Sequence, residues 1–284
     1  NIASFQRLLR PLTDRLGDRM VAGPIAPVAR GIAGAEVGIM LGWMSTRVLG
    51  QYDLLVVEEE RPEDQDLVYY VGPNVLALEK HHGFPPREFR LWLALHEVTH
   101  RAQFTGIPWL RGHFLSLVDQ TLSAVDPDPK RFLDAIGRVA DGLRSGHNPL
   151  DDGGVAALLA SDEQRAVLDR ISGMMSLLEG HGDVTMDRAG ADRIPSADRF
   201  SRVLRVRRQQ STALVRLLQK LVGLEAKLNQ YEQGERFIAA VEAAGGTELL
   251  DRAWTGPEAL PSMAEIRDPS SWVARVGSPS ALAG

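Results

Sequence analysis

Cysteine is absent from the 284 residues. This excludes disulfides, thiolate catalysis, zinc fingers and iron–sulfur clusters together, and leaves His, Asp and Glu as the side chains able to hold a metal ion. The same absence agrees with a reducing, cytoplasmic setting. An excess of one charge is also lacking: 32 Lys and Arg stand against 37 Asp and Glu, a net charge of −5, so no strong global field recruits nucleic acid or anionic lipid. Long hydrophobic runs are missing too. The most apolar stretch, residues 20–43, is interrupted by Pro24, Pro27, Arg30 and Glu36, and falls short of the roughly 20 apolar residues that a bilayer crossing needs. The expectation is a chain with neither a membrane nor a nucleic-acid partner, and no repeat of fixed period is visible. What is present, 44% hydrophobic and 24% charged residues, is the composition of a folded chain with a sizeable core.

Strand-like text is confined to two short runs, residues 53–59 (DLLVVEE) and 66–72 (DLVYYVG), separated by a polar, Pro-containing segment. Everything else reads as helix. Small residues between 30 and 49 suit a tightly packed core helix. Asn74 is placed to cap a short helix through Lys80, and Pro86 to open a new one. From residue 87 onward Phe89, Leu91, Trp92, Leu93, Leu95 and Val98 are apolar nearly all round, predicting a buried helix that ends near residues 106–108. Further helices are expected over 109–125, 129–144, 161–187, 196–209 and 212–244, the last with a break at Gly223 and a leucine stripe from Leu214 to Leu228. The arginine-rich run 199–208 reads as a solvated helix face pairing with the surplus acids. The tail after Trp254, rich in Pro, Ser and Gly, is expected to wrap the surface or fray. The fold class is therefore mainly α with a small β-sheet (α+β), arranged as one domain over 1–284: about 1–106 carries the sheet, and about 107–284 is helical.

The chemistry lies in His96-Glu97-Val98-Thr99-His100. On a helix this spacing places two imidazoles at i and i+4 on one face with a carboxylate beside them. Neutral imidazoles donate to Zn2+, and a carboxylate adjacent to the first is placed to act as general base, the role expected of Glu97. Two histidines and a glutamate would be costly to bury in so apolar a helix without a partner. A hydrolytic zinc site needs a third protein ligand and one open position. The extended pattern that supplies a third His six residues after the second is not met, since Gln103 and Gly106 occupy its Gly and His positions.

The best remaining donors lie in Leu177-Leu-Glu179-Gly-His181-Gly-Asp183. Glu179 and Asp183 share one helical face, the first suited to ligate a metal and the second to orient an imidazole. They interrupt an apolar run, and Gly180 and Gly182, costing about 1 kcal/mol each in a helix, suggest close approach of another backbone or of the metal helix. His181 is an alternative ligand or a donor to a transition state, while Arg111 and His113 are candidates for substrate or oxyanion contacts. His81, His82 and His147 sit in loop-like, solvated text.

HEVTH followed at a distance by Glu179-x-x-x-Asp183 resembles the gluzincin arrangement of zinc metallopeptidases. That resemblance implies Glu179 as the third zinc ligand and Asp183 as the acceptor that fixes a ligand imidazole. More specifically, HEVTHRAQF, the following Pro108-Trp-Leu-Arg111-Gly-His113 and LLEGHGDVTMD are similar to a bacterial zincin-like hydrolase family that co-occurs with deazaflavin coenzyme biosynthesis, over about residues 53–231. The resemblance implies a zincin-like architecture and a zinc-dependent hydrolase, a metallopeptidase by default, in which water attacks a peptide or amide carbonyl. By the same analogy the strand before the metal helix offers a sheet edge to a peptide, with Tyr69 and Tyr70 lining the cleft. The contrasting reading is a non-catalytic helical protein that keeps a zincin site for structure or for binding a partner.

Overall fold

Helices make up most of the computed structural model, which describes residues 38, 42, 45–54, 67–123, 162–190, 192–209 and 230–277. Two compact units divide it, Asn1–Arg101 with Gly190–Ala197, and Ala102–Ala189 with Asp198–Gly284.

In the first unit, β1 (Gly50–Tyr52) and β2 (Val68–Tyr70) pair antiparallel with Gly50 opposite Tyr70 and Tyr52 opposite Val68. The first strand thus lies N-terminal to the run read from the sequence, whose residues from 55 onward fall outside the described residues. Helix α1 (Gly72–His82) has Pro73 in its first turn and no side-chain cap. Asn74 acts elsewhere, its Nδ2 donating to the carbonyls of Ser45 and Val48 at 2.7 Å each and so tying the approach to β1 onto the helix start. His81 and His82 form the end of α1 rather than a loop, and Gly83, in the left-handed region at φ 58°, closes the helix.

Helix α2 (Pro86–Gly106) opens and closes where the two prolines and Gly106 predict. It is amphipathic rather than apolar all round, because Phe89, Trp92 and Leu93 are buried while Leu91 and Val98 are 42% and 47% exposed. The Arg90 guanidinium binds the buried Glu79 carboxylate through two hydrogen bonds of 2.8 and 2.9 Å, joining α1 to α2. Ser196 N–H donates to Glu88 at 3.0 Å, and Ile194 is buried nearby in sequence, which fixes the returning segment.

The second unit takes the last turn of α2 and continues with α3 (Leu110–Ser123), α4 (Asp162–Gly190), α5 (Ala197–Gln209) and α6 (Gln230–Asp251). Helix α6 is broken at Gly245 and Gly246, the latter at φ 72°. Helix α5 buries Phe200 and Leu204 while Arg199, Arg202 and Arg205 face solvent, and Arg205 reaches Glu235 at 3.6 Å.

The tail is the clearest departure from expectation. Two short turns, Arg252–Trp254 and Pro257–Ala259, lead into α7 (Met263–Arg267) and α8 (Pro269–Val276). Trp272 is fully buried, its Nε1 donating to Ala259 O at 2.8 Å. It joins Leu177, Phe237, Ile238, Val241, Met263 and Ile266 in one core cluster. Few apolar side chains, each on a helix of only one or two turns, suffice to fold the segment because Ser262 and Glu265 form a capping box and Pro269 starts the last helix.

The helix expected at 129–144, the leucine stripe and its break at Gly223, His147 and most of 30–49 lie outside the described residues. No described helix is long and apolar enough to cross a membrane.

Candidate metal centre

Positions 89, 92, 96 and 100 fall on one stripe of α2 and carry a column of rings. Phe89 stacks on Trp92 with centroids 6.3 Å apart, and Trp92 on His96 at 6.1 Å with 10° between planes. His100 meets His96 edge-on at 4.7 Å. Buried aromatic packing thus sets the plane of the first histidine, and one helical turn sets the second beside it. Glu97, about 100° around the helix, is buried at 6% exposure and lies against Gly50 of β1.

Helix α4 is located by different means. A Cβ on Gly180 would collide with the backbone of Gly234 in α6, and one on Gly173 with the backbone of Pro261 and Ser262. The close approach inferred from the cost of Gly180 is therefore real, and the backbone it admits is that of α6. At the last turn of α2, Gln103 is buried at 5% exposure. Its Nε2 donates to Leu178 O at 2.9 Å and lies 3.0 Å from His181 Nδ1. With one amide hydrogen on each acceptor, His181 Nδ1 accepts and the ring proton is assigned to Nε2. The His181 ring also packs edge-on against Trp254 at 5.2 Å.

Ligand atoms of His96, His100 and Glu179 all lie within 4.8 Å of one another. That spread is within a side-chain adjustment of what bonds of about 2.0–2.1 Å to one zinc ion require, and two imidazoles with one carboxylate is a donor set of hydrolytic zinc sites with one position left open. The residues present fit the ion. His181 is not in this group; it is turned to Gln103 and Trp254.

Asp183 is half-buried one turn beyond Glu179 on α4. Tyr69 and Tyr70 are 43% and 45% exposed on β2. Adjacent strand residues point to opposite faces, so the two cannot line the same side of a cleft. Tyr70 is the one opposite Gly50. Burial, with the Glu97 charge adding to it, holds the Tyr70 phenol above its ordinary pKa and therefore protonated. Arg111 and His113 are half-buried on α3; His113 packs against Trp109 at 6.0 Å, and burial together with Arg170 lowers its pKa.

Two residues at this centre do not stand out in the sequence for what they do. Gln103 marks there only the failure of a longer zinc motif, yet it lies seven residues after His96 on the same stripe, where a polar side chain in buried text is a signal. Gly50 gives no signal, since it precedes the text that reads as strand.

Residues 1–273 match the model of a family described as zincin-like metallopeptidases. Among solved structures, the chain is similar to the crystal structure of a candidate hydrolase with a novel fold from Chloroflexus aurantiacus, with 33% sequence identity and a TM-score of 0.68 over 98% of this chain and 76% of that one. No curated protein matches.

Proposed function

The chain belongs to the zincin-like metallopeptidase family, and on that premise we propose that it is a zinc-dependent hydrolase of peptide or amide bonds, with His96, His100 and Glu179 holding Zn2+ and Glu97 acting as general base. The observation that carries this reading is the convergence of two imidazoles and a carboxylate, from positions far apart in sequence, to within 4.8 Å. Held by these three side chains, a zinc ion would supply the acidification of a water and the polarisation of a carbonyl.

The protein's own residues divide the remaining work. A Glu97 carboxylate oxygen takes the proton released as water attacks and passes it to the departing nitrogen. Trp92 keeps the His96 ring in plane, and Asp183 is assigned to fix the tautomer of a ligand imidazole, which completes a gluzincin-type pattern. His181, a donor at Nε2, is the candidate for steadying charge on the carbonyl oxygen. Tyr70, with Arg111 and His113, is a candidate for substrate contact.

Zinc content by elemental analysis, combined with hydrolysis of a casein-derived peptide pool followed by mass spectrometry, tests the reading. Glu97→Gln is expected to retain zinc and lose about 10²–10⁴-fold in turnover, and His96→Ala to lose zinc. Unchanged turnover in the first or undiminished zinc in the second overturns it. Zinc present with no cleavage across the pool assigns the centre a structural or partner-binding role instead.

A further inference from the structure

Gly50 occupies a position where the backbone does not call for glycine. Among the described glycines only Gly83 and Gly246 have positive φ, so an L side chain fits the conformation at 50, the first residue of β1. The requirement is spatial. A Cβ at Gly50 would lie 2.6 Å from Glu97 Oε1 and 2.8 Å from its Cγ and Cδ. Real Cβ atoms do not come this close, and what they would meet here is the working end of the proposed base.

The ribbon explains the alignment. Gly50 and Tyr52 point to the same face of β1, and Tyr52 is buried. Tyr70, directly across from Gly50, projects to that face as well. Its phenol feels the Glu97 charge, so the carboxylate lies over the Gly50–Tyr70 pair. We infer that Gly50 is a positioning residue for Glu97: the bare β1 backbone is the surface on which the carboxylate rests, and any side chain at 50 displaces it. This rests on the assignment of Glu97 as general base. Because the atoms met belong to the end of a flexible side chain, the substitution is expected to move Glu97 rather than unfold the strand, and a misplacement of about 1 Å at a reacting group costs on the order of 100-fold in rate.

The test is a double-substitution cycle on the full chain, joined to a spectroscopic readout. Thermal unfolding is measured for the parent, Gly50→Ala, Glu97→Ala and the pair. Gly50→Ala is expected to lower the midpoint by about 2–4 °C in the parent. In the Glu97→Ala background, where the space is vacated, it should leave the midpoint unchanged or raise it, since alanine restricts the unfolded chain more than glycine does. An equal loss in both backgrounds overturns the proposal. In the cobalt-loaded proteins, the visible absorption bands of Gly50→Ala should shift toward those of Glu97→Gln with cobalt affinity unchanged. A parent-like spectrum, or affinity lost to the extent seen in His96→Ala, also overturns it. If the parent binds no cobalt, the metal reading itself fails, while the unfolding cycle still decides whether Gly50 exists to accommodate Glu97.

Discussion

The helix that carries the two histidines and the helix that carries Glu179 are held in place by opposite strategies. On α2 the fixing is done by large side chains: Phe89 and Trp92 fill the stripe and lead directly onto His96. On α4 it is done by the absence of side chains, because Gly173 and Gly180 let the Pro261–Ser262 and Gly234 backbones come against the helix. Packing by large rings tolerates substitution by rings of similar size, whereas backbone approach at glycine tolerates no added carbon. The packing around α2 can therefore be retuned and that around α4 cannot.

Shrinking the aromatic column should have the largest effect. Trp92→Ala is expected to cost about 3–5 kcal/mol in urea unfolding, as for other large aromatic truncations in a core, and to weaken zinc binding because the His96 ring loses its stacking partner. Trp92→Phe should recover most of both. If Trp92→Ala left zinc affinity untouched, the column would be core packing without influence on the ligand.

The glycine side is probed by addition. Gly234→Ala is expected to cost about 3 kcal/mol, the upper end for overpacking, because the atoms a Cβ meets are backbone. Gly180→Ala should behave similarly, and the two should be strongly non-additive since they disrupt a single contact. Additive losses, or a Gly234→Ala protein as stable as the parent, would break the contrast between the two helices. Between these extremes stands Gln103, whose loss is set by hydrogen bonds alone. Gln103→Leu leaves the Leu178 carbonyl and His181 Nδ1 without its donor, a cost of about 1–2 kcal/mol. Histidine ¹⁵N shifts should report the Nε2–H form of His181 in the parent and its loss of definition in the variant.

The same contrast governs how much can be read from the chain. The motif of α2 is legible because its chemistry, its stripe and both its prolines are local: His96, Glu97, His100, Pro86 and Pro108 are all within one short window. Glu179 is legible as an acid inside apolar text, and Gly180 as an unexplained cost, but the partner of that glycine is in α6, more than 50 residues on by number, and local text does not name it. The first described strand, Gly50–Tyr52, precedes the β-branched text because its pairing with Val68–Tyr70 is a contact between separate segments, which local text does not name. The tail misleads for a related reason. Its Pro, Ser and Gly residues are helix starts and stops, and Trp272 is a single large side chain whose burial depends on Phe237 and Val241 of α6.

The smallest expected effect concerns how that tail keeps its backbone against Gly173 of α4. Ser262 is one of the residues a Cβ at Gly173 would strike, and it is held by Glu265, which accepts from its N–H at 2.9 Å while Arg275 binds the same carboxylate at 2.6 and 2.9 Å. Burial works to raise the Glu265 carboxyl, but the Arg275 and Ser262 donors together outweigh it and hold the pKa below its ordinary value. A depressed folded-state pKa contributes stability that is present above the unfolded pKa and is lost as pH falls through the folded one. Glu265→Gln should therefore destabilise at pH 7, by less than about 1 kcal/mol because the pair is partly solvated and screened. The difference from the parent should close as the pH is lowered through and below about 4. Unfolding midpoints across pH 3–7 check this. A deficit in Glu265→Gln that stayed constant over that range would mean that Ser262 is held by shape alone, and that the charge on Glu265 takes no part in keeping the tail on α4.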